Sequence, residues 1–193
     1  MRSIFVTGTD TGVGKTLICQ CLVRYLRQSG CSAVYQKWIE TGCRYFKANP
    51  QHPYRFRKAC SPHLAARIER RKIDPAKIKA SFRELEEKFG CVVVEGIGGA
   101  LVPYDSKNLV IDIAGELDLP VLLVAGNKLG AINHTLLTLE ALESRKLEIL
   151  GIIFNNLEKQ DRMVLKDNPR IVKKLSGVKV LGVFPWISGR KKI

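Results

Sequence analysis

No apolar run in this chain is long enough to cross a bilayer: PVLLVAG and ILGIIF, the longest, stop well short of the roughly 20 residues that a spanning helix needs. The opening MRSIFVTG enters a strand-like run without the pattern of a signal peptide. The six cysteines, at positions 19, 21, 31, 43, 60 and 91, form no C-x-x-C pair and no ladder with histidines, so neither a zinc site nor a disulfide framework is expected. They fit small buried hydrophobes in a reducing compartment. Internal repeats, low-complexity tracts and linkers are also missing, so the 193 residues are expected to form one domain. Together these absences point to a soluble cytoplasmic enzyme or binding protein that needs no membrane.

Acidic side chains are scarce, 18 Asp and Glu against 32 Lys and Arg, leaving a net charge of +14. Nucleic acid is one partner for such a charge; a solvated basic surface that attracts anionic substrates is the other. The basic residues are scattered through RFRKACSPHLAARIERRKIDPAKIKA and the tail GRKKI, without the interleaved aromatics of a single-strand binder. The solvated surface is favoured, and no nucleic-acid partner is expected.

What the chain does have is a regular alternation of short β-branched runs with helical patterns. SIFVTG, SAVYQK, CVVVEG, PVLLVAG, ILGIIFNN and VKVLGVFP are continuous apolar runs, as strands buried on both faces require. The pattern predicts an α/β fold of the P-loop NTPase type: a mostly parallel sheet of about six strands, with helices on both faces. One helix starts at Lys15 and carries Leu17, Ile18, Cys21, Leu22, Tyr25 and Leu26 on one stripe before stopping near Gly30; Cys19 and Cys21 on it face different ways. A second runs from an Asp74 N-cap through Pro75 to Gly90, and a third covers NHTLLTLEALESRK. The segment TGCRYFKANPQHPYRFRKACSPH is expected to be an irregular surface loop.

The stretch GTDTGVGKT at 8–16 is a phosphate-binding loop with one residue out of place. The template G-x-x-x-x-G-K-[ST] wants glycine where Thr9 stands, and Gly8 comes one step early. Its context, after a buried strand and at a helix start, is the one that binds phosphate. Gly12 and Gly14 free the backbone to turn its amides toward phosphate oxygens, Lys15 reaches the terminal phosphates and Thr16 supplies a hydroxyl for Mg²⁺. Thr9, Asp10 and Thr11 add polar side chains that a minimal cradle does not need.

Three further stations close predicted strands: Lys37 in YQKWIETG, Glu95 in VVVEGIGG, and Asn155 with Asn156 in IIFNN. Open α/β sheets bind ligands at such strand ends. Alone, Lys37 is equally compatible with a side chain snorkelling to solvent, and Asn155 with a strand-end cap. An acid after a buried strand is where P-loop proteins hold metal or position water, and the glycines behind it permit close approach. His134 starts a helix beside Asn133, a setting that favours an interface or cap over catalysis, and His52 and His63 lie in the basic irregular segment.

FVTGTDTGVGKT, QKWIETG, SPHLAA, VVVEGIGGALVP, NKLGAINHTLLT, the NN pair and GVFPWI occur in this order, and the set resembles the dethiobiotin synthetase family over nearly the whole chain. The resemblance implies a homodimeric ligase that uses ATP and Mg²⁺ to join 7,8-diaminononanoate (7,8-diaminopelargonate) and CO₂ in biotin synthesis. A carbamate on one amine would attack the γ-phosphate, and the second amine would capture the resulting carbamic-phosphoric anhydride. It further implies Gly12, Val13, Gly14, Lys15, Thr16 and Leu17 at the phosphates, with Glu95, Gly96, Ile97 and Gly98 beside them. Mg²⁺ falls to Thr16 and Glu95, and the catalytic role to Lys37 together with Lys15. Thr11 and Thr41 would face the diamine, Gly130 and Asn133 its distant carboxylate from the partner subunit, and Asn155, Pro185, Trp186 and Ile187 the nucleobase.

One departure stands out. The resemblance implies a longer stretch after ETG, carrying an aspartate for Mg²⁺, yet CRYFKANPQH contains no acidic residue. Either Thr16, Glu95, phosphates and water complete the metal site, or the site is weakened; Asp10, inside the loop itself, is the nearest spare carboxylate, and its recruitment is a further hypothesis. Two relatives in loop architecture are the alternatives: a cobyrinate-type amidoligase, expected to work with a glutaminase domain, and a ParA-like DNA-partitioning ATPase, whose loop carries a second lysine where Thr9 and Asp10 stand here.

Overall fold

The structure, a computed structural model, describes residues 2–44 and 47–186. In chain order the elements are β1 (Ile4–Gly8), α1 (Lys15–Gln28), β2 (Ala33–Lys37), β3 (Ile39–Thr41), β4 (Tyr54–Phe56), α2 (Pro62–Ile68), α3 (Pro75–Phe89), β5 (Cys91–Glu95), α4 (Val110–Glu116), β6 (Val121–Gly126), α5 (Ala131–Glu143), β7 (Ile149–Asn155), α6 (Arg162–Ser176) and β8 (Val180–Phe184). All six predicted strands join one parallel sheet in the order β2-β5-β1-β6-β7-β8. Alternation within each strand divides the core. Ile4, Val6, Cys91, Val93, Leu122 and Val124 pack under α1, while Phe5, Val92 and Val94 face α3 and α4 on the opposite side. Leu123, Ala125, Ile152 and Phe154 meet α5 and α6.

Because the strands are parallel, Gly8, Lys37, Glu95, Gly126 and Asn155 all end at the same edge of the sheet. That edge carries the site.

The structure corrects several sequence expectations. The segment 41–63 is not wholly irregular: β4 pairs in parallel with β3, burying Tyr54 and Phe56 on one face while Arg55 reaches Glu40 at 2.9 Å on the other. Asn49, Pro50 and Pro53 just ahead of it masked this three-residue alternation. On α1 the buried apolar residues are Ile18, Cys19, Val23 and Leu26; Tyr25 is 65% exposed and Cys21 is exposed, so the stripe lies about one residue away from the expected one. The helix expected from Asn133 begins at Ala131 behind Gly130, whose φ of +86° favours glycine, and ends at Glu143. Asp74, Pro75 and Gly90 cap α3 as expected, with Asp74 accepting from the Ala76 amide.

Helices α2, α4 and α6 add to the three named from sequence. Pro169 lies inside α6, where proline ordinarily disrupts the ladder because it has no N–H for the carbonyl four residues back. That carbonyl is Leu165's, and the buried Asn127 donates to it from Nδ2 at 2.9 Å. Asn168 in turn donates to Asn127 Oδ1 at 2.9 Å and to the Lys128 carbonyl at 3.1 Å. A tertiary hydrogen bond replaces the one that proline removed, and it docks α6 onto the end of β6.

Candidate functional site

The loop between β1 and α1 makes its turn through Gly12 (φ +75°) and Gly14 (φ +94°), left-handed conformations that side chains resist. Gly14 is also pinned by space: a Cβ there would stand against the side-chain amide of Asn155. Asn155 Nδ2 donates to the Val13 carbonyl at 2.8 Å, so the end of β7 clamps the middle of the loop. Its Oδ1 is buried and has no partner among the described residues.

Gly8, the glycine out of pattern, has its own reason. A Cβ on it would lie 2.7 Å from Val13 Cγ2 and 3.1 Å from Lys15 Nζ. The lysine folds back over the strand end, and its ammonium donates to the Asp10 carbonyl at 2.9 Å. Lys15 is only 6% exposed, and burial lowers its pKa to about 8, with Lys37 adding to the shift and Glu95 opposing it.

Glu95, 2% exposed at the end of β5, gathers the remaining groups. Its Oε1 accepts from the Thr16 hydroxyl at 2.8 Å and pairs with Lys37 Nζ at 2.9 Å. The register Lys37↔Glu95 between β2 and β5 puts the two side chains at one level on the face toward α1. Its Oε2 accepts from the Tyr35 hydroxyl at 2.5 Å. Burial and then the Glu95 charge hold that hydroxyl protonated far above the usual range for tyrosine. Tyr35 was not among the site residues expected from the sequence. Its position two residues before Lys37 on the same strand was the available signal, since side chains at i and i+2 share a face.

The two oxygens that face one another, Thr16 Oγ1 and Glu95 Oε1, suit a hard divalent cation. Cis ligands of an octahedral Mg²⁺ at about 2.1 Å from the ion are about 3.0 Å apart, near the 2.8 Å hydrogen-bond distance found between these two oxygens. Among the described residues no group of three or more His, Cys, Asp and Glu side chains is placed to hold a metal, so Thr16 and Glu95 would need phosphates and water to complete the shell. Asp10 is exposed, and its Oδ1 takes the Thr11 amide at 2.6 Å in a local turn.

The loop after β5 packs against the phosphate loop. A Cβ on Gly98 would be 3.4 Å from Thr11 Oγ1, and one on Gly99 3.5 Å from the Gly8 carbonyl. The close approach of GIGG is thus to the phosphate loop, at Gly98 to the Thr11 side chain and at Gly99 to the backbone of Gly8 and Thr9. Thr41 ends β3, half-buried. Gly130 and Asn133 stand at the start of α5, exposed together with His134. Pro185 and Trp186 follow β8 at the sheet edge, Trp186 46% exposed, and Ile187 lies outside the described residues. His52 approaches the site from the short segment: its ring is 6.0 Å from that of Tyr35, and burial, then Arg55, lowers its pKa.

A family model described as an AAA domain matches residues 2–192. The ATP-dependent dethiobiotin synthetase BioD of Akkermansia muciniphila is 41% identical over 194 residues, covering 94% of this chain and 91% of that protein. BioD 2 of Haemophilus ducreyi, also an ATP-dependent dethiobiotin synthetase, is 38% identical over 184 residues, covering 86% of this chain and 87% of that protein. Among solved structures, the cell division ATPase MinD of Pyrococcus furiosus superposes with a TM-score of 0.62 at 17% identity, over 96% of this chain and 84% of that one. A ParA family ATPase of Chlorobium tepidum gives 0.61 at 12% identity, over 97% and 86%. At such identities the likeness to MinD and ParA is one of fold.

Proposed function

The chain belongs to the dethiobiotin synthetase family and is an ATP-dependent ligase forming C–N bonds in biotin biosynthesis; from that premise we propose how its residues divide the work. The substrates are 7,8-diaminononanoate and CO₂ with ATP. The carbamate formed on one amine attacks the γ-phosphorus as ADP leaves. The second amine then attacks the carbamoyl carbon of the mixed anhydride, loses its proton and expels phosphate, closing the ureido ring.

One observation carries this reading: a second lysine, Lys37, stands on the same carboxylate oxygen as Thr16, beside the phosphate loop. Phosphate binding is served by Lys15; a further cation at the strand end suits a reaction that builds charge on carbamate and phosphoryl oxygens at once. Lys15 holds the terminal phosphates, and Lys37 turns from Glu95 toward the anhydride oxygens. Thr16 and Glu95 hold Mg²⁺, which when bound neutralises the phosphate charge that repels an anionic nucleophile. Thr11 and Thr41 orient the diamine.

The base pocket is formed by Asn155, Pro185 and Trp186. The Oδ1 of Asn155, which has no partner among the described residues, supports a base with an amino donor, as adenine has. Gly130 and Asn133 receive the distant carboxylate of a substrate bound to the other subunit of a homodimer. The exposed Leu129 and Leu137 beside them, 84% and 55% accessible, give that surface apolar area to cover. Six free thiols support a cytoplasmic setting.

Purified protein given diamine, bicarbonate, Mg²⁺ and ATP should release phosphate in proportion to diamine. Release no faster than in a control without diamine would overturn the assignment.

A further inference from the structure

We propose that Tyr35 is a positioning residue for the metal-binding carboxylate: it fixes the rotation of Glu95 so that Oε1, and not Oε2, faces Thr16. This rests on Glu95 being a Mg²⁺ ligand. The two oxygens of Glu95 have separate duties. Oε1 takes the Thr16 hydroxyl and Lys37, the groups of the reaction site, while among the described residues Oε2 takes the Tyr35 hydroxyl alone, at 2.5 Å. A short O–H···O⁻ bond is charge-assisted and strongly directional. Glu95 is almost fully buried, so no solvent competes for Oε2.

The strand geometry makes the arrangement rigid. Tyr35 and Lys37 are two apart on β2 and share the face toward α1, while β5 is hydrogen-bonded alongside with Tyr35 opposite Val93 and Lys37 opposite Glu95. One strand thus reaches both oxygens of a carboxylate on its neighbour. Tyrosine holds one oxygen from behind and lysine pairs with the other in front. Without the phenol, Oε2 would be a buried anionic oxygen without a donor, and the carboxylate would gain by rotating it toward Lys37 and Thr16. Outer-shell partners that orient a metal ligand typically change metal affinity by 10- to 100-fold when removed. Among the described residues no group of three or more His, Cys, Asp and Glu side chains is placed to hold a metal, so the orientation of Glu95 carries more of the metal's affinity.

The test uses the full chain with Mn²⁺ as the probe, free Mn²⁺ being counted by electron paramagnetic resonance at saturating AMP-PNP. Four proteins are compared: the parent, Tyr35→Phe, Glu95→Gln and the double variant. Tyr35→Phe keeps the ring in its packing, and AMP-PNP binding in EDTA checks that the loop is intact. The expected result is a Kd for Mn²⁺ raised about tenfold by Tyr35→Phe, with no further change when the same substitution is made in Glu95→Gln. An unchanged Kd in Tyr35→Phe, with Glu95→Gln weakened, would overturn the role of Tyr35 and leave the metal site standing. An equal effect of Tyr35→Phe in both backgrounds would mean that it acts through something other than Glu95, and would also overturn it. If Glu95→Gln itself binds Mn²⁺ as the parent does, the metal assignment fails and the proposal with it.

Discussion

Gly8 and Lys15 occupy one another's space: a Cβ on the glycine would come within 3.1 Å of the lysine ammonium and 2.7 Å of Val13 Cγ2. The glycine that breaks the usual phosphate-loop spacing is therefore the one that lets the lysine lie back over the strand end. Gly8→Ala should push Lys15 and Val13 outward and weaken ATP binding by at least tenfold, while Thr9→Gly, which restores the common spacing, should not rescue it. Equilibrium binding of a fluorescent ATP analogue distinguishes the two outcomes.

Burial sets a pH limit on the same lysine. With its pKa lowered to about 8, Lys15 is an ammonium at pH 7 and loses its charge as pH rises through 8 in the free protein. ATP affinity should then fall above pH 8, by up to about tenfold per unit while the bound form keeps its proton, and binding should take up protons from the buffer. Stability should move the other way. The unfolded chain keeps this proton up to about 10.5, so between pH 8 and 10.5 it binds more protons than the folded one, and this group's contribution to unfolding free energy rises with pH. Comparison of thermal midpoints and nucleotide affinities with Lys15→Met at pH 7 and 9.5 isolates both trends.

Asn155 holds the loop from the far side of β6. Replacing it by aspartate removes the donor to the Val13 carbonyl and sets two acceptors face to face. Loss of a buried hydrogen bond of this kind costs about 1–3 kcal/mol, so ATP affinity should drop on the order of 10- to 100-fold. Calorimetric titration with ATP is the check; an unchanged affinity would mean that the loop holds its shape without the clamp.

Asp10→Asn tests whether the loop carboxylate shares the metal. Asparagine keeps an oxygen for the Thr11 amide and so preserves the turn. The Mg²⁺ concentration for half-maximal phosphate release should stay within about twofold of the parent, in keeping with a carboxylate engaged locally. A large increase would make Asp10 a ligand.

Away from the site, Asn127→Leu should destabilise the protein by about 3 kcal/mol, because it strands the Leu165 carbonyl and deprives Asn168 of one acceptor. Pro169→Ala supplies a backbone N–H for that carbonyl, so the same Asn127 substitution should cost less in the Pro169→Ala background. Chemical denaturation of the parent, the two single variants and the double variant measures this coupling.

The phosphate loop, its Lys15 and Thr16, and the strand-end positions of Lys37, Glu95 and Asn155 were legible in the linear chain. They follow from local rules: a buried strand, glycines at a turn, a helix start, and polar residues where apolar runs stop. All six strands of the sheet were visible for the same reason, since strands buried on both faces must be apolar throughout. Less local features were hidden. β4 is three residues long and bordered by turn formers, so its alternation is too brief to signal a strand. α6 contains a proline that a single-chain reading counts against a helix; it persists because Asn127, about 40 residues earlier, replaces the missing donor.

The sequence by itself therefore determined the sheet and the loop, because those depend on periodicity and on residues near one another in the chain, while the type of chemistry was legible through the resemblance of its motif set to a known family. Only the tertiary structure decided how Glu95 is divided, with Thr16 and Lys37 on one oxygen and Tyr35 on the other, and why Gly8 stands where it does. Those relations depend on which strands lie side by side, with β5 between β2 and β1, and parallel pairing sets that order through contacts distant in the chain.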